Sequence, residues 1–405
     1  MNLQKKQKEE EKEKGKGKND GGGGLYERSL SPAGNLCTTL IGAAGYPCSQ
    51  QTVETKDGYL LSLQRVSSSN NRTLVRTCGP PVLLLHGLFV AGDTWFLNSK
   101  DDSLGFILAD QGFDVWVANF RGTSFSFGNA FLSPKDKEFW SWSWEDLAQY
   151  DLPVILDYIY SITNKKIRII GHSQGTVTTL AALSQPNIAE MVEAAALLCP
   201  IAYLNNTKAS FLHTLVDLRF DEFLLGLGIT ELNLKSQVTI ELVMSACDID
   251  KNCSDLLTSV AGKSCCLDAS RIDSYFERAQ PTSVKNLSHY AQLVRAGTLS
   301  KFDYRMLANS KLYGSVKPGA FNLSAIPKSV PIWMGYGGND ALADTIDVER
   351  AIKDLQSKPE LLYLENYGHL DFVWSSTGKE DVFNHIIEFF TSLENKNEKN
   401  SKKEL

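Results

Sequence analysis

From residue 59 to about residue 198 the apolar positions change period repeatedly. Short runs rich in β-branched side chains give way to stretches with apolar residues three and four apart, and then to short runs again. That alternation predicts strands and helices in turn, and so an α/β protein with a mainly parallel central sheet and helices on both faces. Residues 59–66 alternate like an early antiparallel strand. Residues 82–85 and 113–120 are β-rich runs that end near glycine, as buried parallel strands do, and the loops after such strands carry function. In 145–162, Leu147, Leu152, Ile155, Leu156 and Ile159 give the apolar stripe of an amphipathic helix, with Pro153 expected to kink or interrupt it. Residues 167–170 read as a strand running into Gly171-His172-Ser173-Gln174-Gly175, and 176–183 as a helix.

Between 199 and about 326 the alternation stops, leaving only helical fragments such as 211–218 and 288–294. This predicts an inserted, mostly helical cap. Regular order returns with strands at 330–336 and 361–365 and a closing helix at 380–393. A sheet interrupted and then completed requires the two ends of the insertion to lie close together. The expected layout is a disordered charged and glycine-rich segment at 1–30, a core formed by 31–198 and 327–394, a cap at 199–326, and a flexible tail at 395–405.

Composition changes this picture mainly by exclusion. The chain is 43% hydrophobic and 22% charged with a net charge of -6, so it offers no polyanion-binding surface, and nucleic acid is not an expected partner. Its longest nearly uncharged apolar stretch, 194–204, falls short of the roughly 18 residues of a membrane span, so any lipid contact should be peripheral. Residues 1–24 lack the apolar stretch of a secretory signal. Against that stand eight cysteines, with a cluster at Cys247, Cys253, Cys265 and Cys266 and a near pair, Cys37 and Cys48. Sequons start at Asn71, Asn205, Asn252, Asn286 and Asn322. Together these suit a lumenal or extracellular protein with disulfides inside the cluster, its signal supplied by another start.

The chemistry centres on residues 171–175. In G-x-S-x-G, small flanking residues let a strand turn sharply into a helix and lift a serine oxygen above the sheet, and here a β-branched strand precedes the motif and a helix-forming run follows. Serine needs a positioned histidine to take its proton. His172 sits inside the motif, His86 precedes an early loop, His213 and His289 fall in the cap, and His385 falls in the last helix. His369, in a loop after the 361–365 strand, remains. The acid should follow the preceding strand, and Asp340 does so after the Gly337-Gly338-Asn339 turn, with Asp344 and Asp347 as competitors. Oxyanion donors are expected from the backbone N–H groups of Gln174 and Leu88, the latter in the Leu85-His86-Gly87-Leu88 turn.

At this point the chain resembles the acid-lipase family of α/β-hydrolases, which includes the gastric and lysosomal acid lipases and the plant triacylglycerol lipases. The likeness runs from about Cys48 to Leu393. It is carried by Gly45-Tyr46-Pro47, Thr55-Lys56-Asp57-Gly58-Tyr59, Leu85-His86-Gly87-Leu88, Asn119-Phe120-Arg121-Gly122, Phe139-Trp140, Ala148-Gln149-Tyr150-Asp151-Leu152, the serine motif, Gly337-Gly338-Asn339-Asp340 with Leu342-Ala343-Asp344, and His369-Leu370-Asp371-Phe372. The resemblance implies the α/β-hydrolase fold with a cap, a Ser173–Asp340–His369 triad, Leu88 and Gln174 as oxyanion donors, acylglycerol or sterol-ester substrates, and neither cofactor nor metal. A carboxylesterase for small soluble esters and a non-catalytic ligand-binding module are the alternatives.

Overall fold

The computed structural model describes residues 34–68, 79–237 and 256–401. The disulfides expected at Cys247 and Cys253, the sequons at Asn71 and Asn252, and the segment 1–30 lie outside these residues. A nine-stranded sheet runs in the order β1 (Cys48–Glu54), β2 (Tyr59–Val66), β4 (Asp114–Ala118), β3 (Pro81–Leu85), β6 (Ile167–His172), β7 (Val192–Leu198), β10 (Ile332–Gly337), β11 (Glu360–Leu364), with β5 (Gly128–Asn129) on β2. β2 pairs antiparallel with β1 and β4, and every pairing from β4 through to β11 is parallel. β3 and β4 are buried at every position. Their Val- and Leu-rich sequences therefore lack alternation, because both faces are covered.

The chain leaves β3 for β4 on one side and later returns to β6 on the other. The order of the sheet reverses between β3 and β6, and in open α/β sheets ligands bind in the crevice outside the strand ends at such a point. The registers bring the carboxyl ends of the strands to one edge: Leu85 faces Gly171, His172 faces Leu198, Leu198 faces Gly335, and Gly337 faces Leu364. The segments that follow carry Leu88, Ser173, Cys199, Asp340 and His369.

The helix expected over 145–162 is divided. A short turn Trp144–Asp146 passes through a π-helical turn, Leu147–Asp151, into the helix Leu152–Thr163, which has Pro153 in its first turn. The wide turn falls where Pro153, which has no N–H, interrupts the ladder of helical hydrogen bonds. Asp151 at the end of the wide turn is buried against the Arg121 guanidinium at 2.6 Å. The closing helix Asn384–Ser401 continues beyond residue 394 into the polar segment expected as a tail.

Between β7 and β10 lie the helices Ser210–Asp217, Phe220–Gly226, Leu256–Ala261, Ile272–Glu277, Val284–Ala296 and Met306–Tyr313. A small antiparallel pair, β8 (Glu231–Leu232) with β9 (Thr282–Ser283), joins them. Cys37 is bonded to Cys48, and Cys265 to its neighbour Cys266, while Cys199 is a buried free thiol. Of the described sequons, Asn205 and Asn322 are exposed, whereas Asn286 is fully buried within a helix. Among the described residues no helix is long and apolar enough to cross a membrane.

Candidate active site

Ser173 sits between β6 and the helix Gln174–Leu183 with φ 53° and ψ -114°, a conformation costly for any residue with a side chain. Two features hold it there. Its N–H donates to Leu198 O at 3.0 Å, and its carbonyl accepts from Thr176 N at 2.8 Å. The turn is tight enough that a Cβ on Gly175 would stand 2.4 Å from Leu85 O, which explains the motif's last glycine.

His369 Nδ1 lies 2.8 Å and 3.0 Å from the two carboxylate oxygens of Asp340, so it donates its proton there and Nε2 is left bare. That Nε2 is buried and has no hydrogen-bond partner among the described residues. Asp340 Oδ1 also accepts from the backbone N–H groups of Leu342 and Ala343, both at 2.8 Å. Burial pushes the Asp340 carboxyl up, but the neighbouring His369 and the Ala343 N–H outweigh it and hold the group below its ordinary range. The competing acids are engaged elsewhere. Asp344 caps the helix Thr345–Asp354 by accepting from Ile346 N at 2.9 Å and pairs with Lys208 at 2.7 Å. Asp347 accepts from Asn206 N and Nδ2, each at 2.8 Å.

His369 is also gripped by its backbone. His172 Nε2 donates to the carbonyl oxygen of His369 at 3.0 Å, and the Cys199 thiol donates to the same oxygen at 3.3 Å. His369 N donates to Ala261 O at 3.0 Å, tying the loop to the segment between β7 and β10. Asp371 fastens the two further, accepting from Gly368 N at 2.7 Å, Cys265 N at 3.1 Å and Cys266 N at 3.3 Å.

On the other side of Ser173, Gly87 approaches so closely that a Cβ would meet Ser173 Cβ at 3.2 Å and His172 Nδ1 at 3.1 Å. His86 sets the plane of this turn. Phe120 N donates to its Nε2 at 3.0 Å, which makes Nδ1 the protonated nitrogen and donor to Gly87 O at 2.8 Å. That carbonyl belongs to the same peptide unit as the Leu88 N–H, on its opposite edge. Burial drives the His86 pKa down to about 4 and that of His172 to about 3, so both rings are neutral.

Ser173, His369 and Leu88 share a cavity of 320 Å³ with Leu224, Leu287 and Tyr290 from the segment between β7 and β10. Its walls are overwhelmingly apolar. Such a cavity strengthens electrostatic interactions at its polar end and takes up hydrocarbon at the other.

The other histidines lie outside this cluster. His213 bonds Thr207 O at 2.7 Å, His289 is buried between Ser143 Oγ at 3.0 Å and Ser300 O at 2.9 Å, and His385 is exposed. Sequence reasoning missed the supporting roles of His86, His172, Cys199, Asp371 and Asn286. Only the first two carried a signal, through their places beside the motif glycines.

A family model described as "alpha/beta hydrolase fold" matches residues 80–376, and one described as "Partial alpha/beta-hydrolase lipase region" matches residues 37–99. The chain therefore belongs to the α/β-hydrolase fold family. Its relatives place it within that family among the acid lipases. Triacylglycerol lipase 1 of Arabidopsis thaliana is 53% identical over 361 residues, covering 89% of this chain and 91% of that protein. Gastric triacylglycerol lipase of Homo sapiens is 34% identical, covering 85% of this chain and 87% of that protein. Among solved structures, a soluble variant of monoglyceride lipase from Saccharomyces cerevisiae superimposes with a TM-score of 0.53 at 16% identity, covering 89% of this chain and 97% of that one, a likeness of fold.

Proposed function

We propose that this member of the lipase family hydrolyses acylglycerols by an acyl-enzyme route in which Ser173 is the nucleophile, His369 the base and Asp340 its acid partner. His369 Nε2 takes the Ser173 proton as the oxygen attacks the ester carbonyl. The Leu88 and Gln174 N–H groups stabilise the tetrahedral oxyanion, and His369 then protonates the departing alcohol. Water repeats the sequence on the acyl-enzyme and releases the fatty acid. The observation that carries this reading is the Asp340-held His369, its Nε2 bare, sharing an apolar cavity with Ser173.

The cavity favours a long acyl chain over a small soluble acid. Each buried methylene contributes about 0.8 kcal/mol, so apolar length dominates binding in such a groove. The segment 199–326 acts in this reading as a cap that supplies the groove wall, and docks peripherally on lipid. The bonded cysteines suit passage through the secretory pathway, with the exposed Asn205 and Asn322 as its glycan acceptors. The test compares kcat/KM on emulsified long-chain triacylglycerol with that on a soluble short-chain ester. Preference for the emulsion supports the lipase reading. Activity confined to the soluble ester makes the protein a carboxylesterase, and none on either makes it a binding module.

A further inference from the structure

Gln174 follows the nucleophile, and its side chain is held from the segment between β7 and β10. Its Oε1 accepts from Asn286 Nδ2 at 2.7 Å and from Tyr290 OH at 3.4 Å. Both donors stand one turn apart on the helix Val284–Ala296. Asn286 is fully buried, and its Oδ1 accepts from Trp144 N at 2.7 Å. The same helix is fastened to the core at neighbouring points: Ser283 Oγ donates to Trp140 O at 2.5 Å, Lys285 Nζ to Ser141 O at 3.3 Å, and His289 stacks on Trp144 with ring centroids 4.2 Å apart. Val284, Leu287, Tyr290 and Ala291 of the same helix line the cavity.

We infer that Asn286 is a positioning residue for the oxyanion site: it fixes Gln174, and through Gln174 the backbone N–H beside Ser173, to the helix that walls the acyl groove. This rests on the reading of Gln174 N–H as an oxyanion donor. A carboxamide suits the task because it must donate to Gln174 and accept from Trp144 at once, which aspartate or leucine cannot do. A buried half-satisfied network is costly, so the bond defines one orientation of Gln174. Oxyanion stabilisation depends on donors already in place when charge develops, and losing one costs about a hundredfold or more in kcat. Displacing one is expected to cost about tenfold. The sequon at Asn286-Leu287-Ser288 consequently carries no glycan in the folded enzyme, because its amide nitrogen is engaged inside the protein.

The test uses the full-length enzyme, with active sites titrated by a phosphonate so that misfolded material does not count. Asn286→Asp keeps the acceptor for Trp144 and removes the donor to Gln174. It is expected to lower kcat on a soluble ester about tenfold with KM little changed, and to weaken a trifluoromethyl ketone, whose adduct places an oxyanion in the site, by a similar factor. In a Gln174→Ala background, which retains the backbone N–H, the further loss from Asn286→Asp should vanish. Gln174→Ala alone should reproduce the tenfold loss, which keeps the test open if Asn286→Asp does not fold. Wild-type kcat per titrated site in either single variant, or full additivity in the double variant, overturns the inference, as does a glycan on the Asn286 peptide. Ser173→Ala distinguishes the failures: if it abolishes turnover while Asn286→Asp changes nothing, only the positioning role falls.

Discussion

His172 Nε2 donates to the carbonyl oxygen of His369 across 3.0 Å, so the residue before the proposed nucleophile holds the backbone of its base. The two rings lie 4.9 Å apart, and burial keeps His172 neutral, with its pKa lowered to about 3. A neutral ring donates one hydrogen bond without placing a second positive charge beside the imidazolium of the proposed mechanism.

Replacing His172 by alanine should therefore lower kcat about tenfold with KM little affected, as the base loses orientation. Cys199→Ala should cost less, because its sulfur is the longer and weaker donor to the same oxygen. Steady-state kinetics on a soluble ester checks both. Equal rates for His172→Ala and wild type would show that the carbonyl grip does not matter.

Asp340→Asn and Asp344→Asn separate the acid from its neighbour. Loss of a triad acid has cost about 10⁴-fold in kcat in a serine protease, whereas loss of a helix cap costs about 1 kcal/mol of stability. With Asp340 on His369 and Asp344 on Ile346 N, only the first variant should lose turnover. If Asp344→Asn proves the more damaging at equal folded concentration, the acid is misassigned.

Acid should loosen this fold through its buried histidines. Burial lowers the pKa of His86 to about 4 and those of His172 and His289 to about 3, against 6.5 in the unfolded chain. Below pH 6.5 the unfolded chain binds protons that the folded one refuses, so their stabilising contribution is complete above 6.5 and is lost as pH falls toward 4 and 3. Melting temperature should drop by several degrees between pH 6.5 and 4.5, and His289→Gln should flatten that slope. A wild-type melting temperature constant across this window would contradict the neutral, buried assignment.

The local features of the site were legible because each is written in a few consecutive residues. The strand before Gly171, the helix after it, and the glycine turn before Asp340 all carry their own signals. β7 has no such signature, since Val-Glu-Ala-Ala-Ala-Leu-Leu is dominated by good helix formers and becomes a strand through pairing with β6 and β10. β1 was equally quiet, as a half-exposed outer strand with few apolar residues. The π-helical turn before Pro153 has no periodic signal of its own. Asn286 and Gln174 are 112 residues apart, and nothing in either neighbourhood announces their bond.

The central claim is that Ser173 is the nucleophile, and turnover by Ser173→Ala tests it most directly. The variant should keep the wild-type circular dichroism and melting temperature, since Ser173 Oγ makes no hydrogen bond to a described residue. Its kcat on emulsified triacylglycerol and on a soluble ester should both fall by several orders of magnitude, about 10⁶-fold where comparable triads have been dismantled. Turnover near the wild-type level on either substrate would contradict the account.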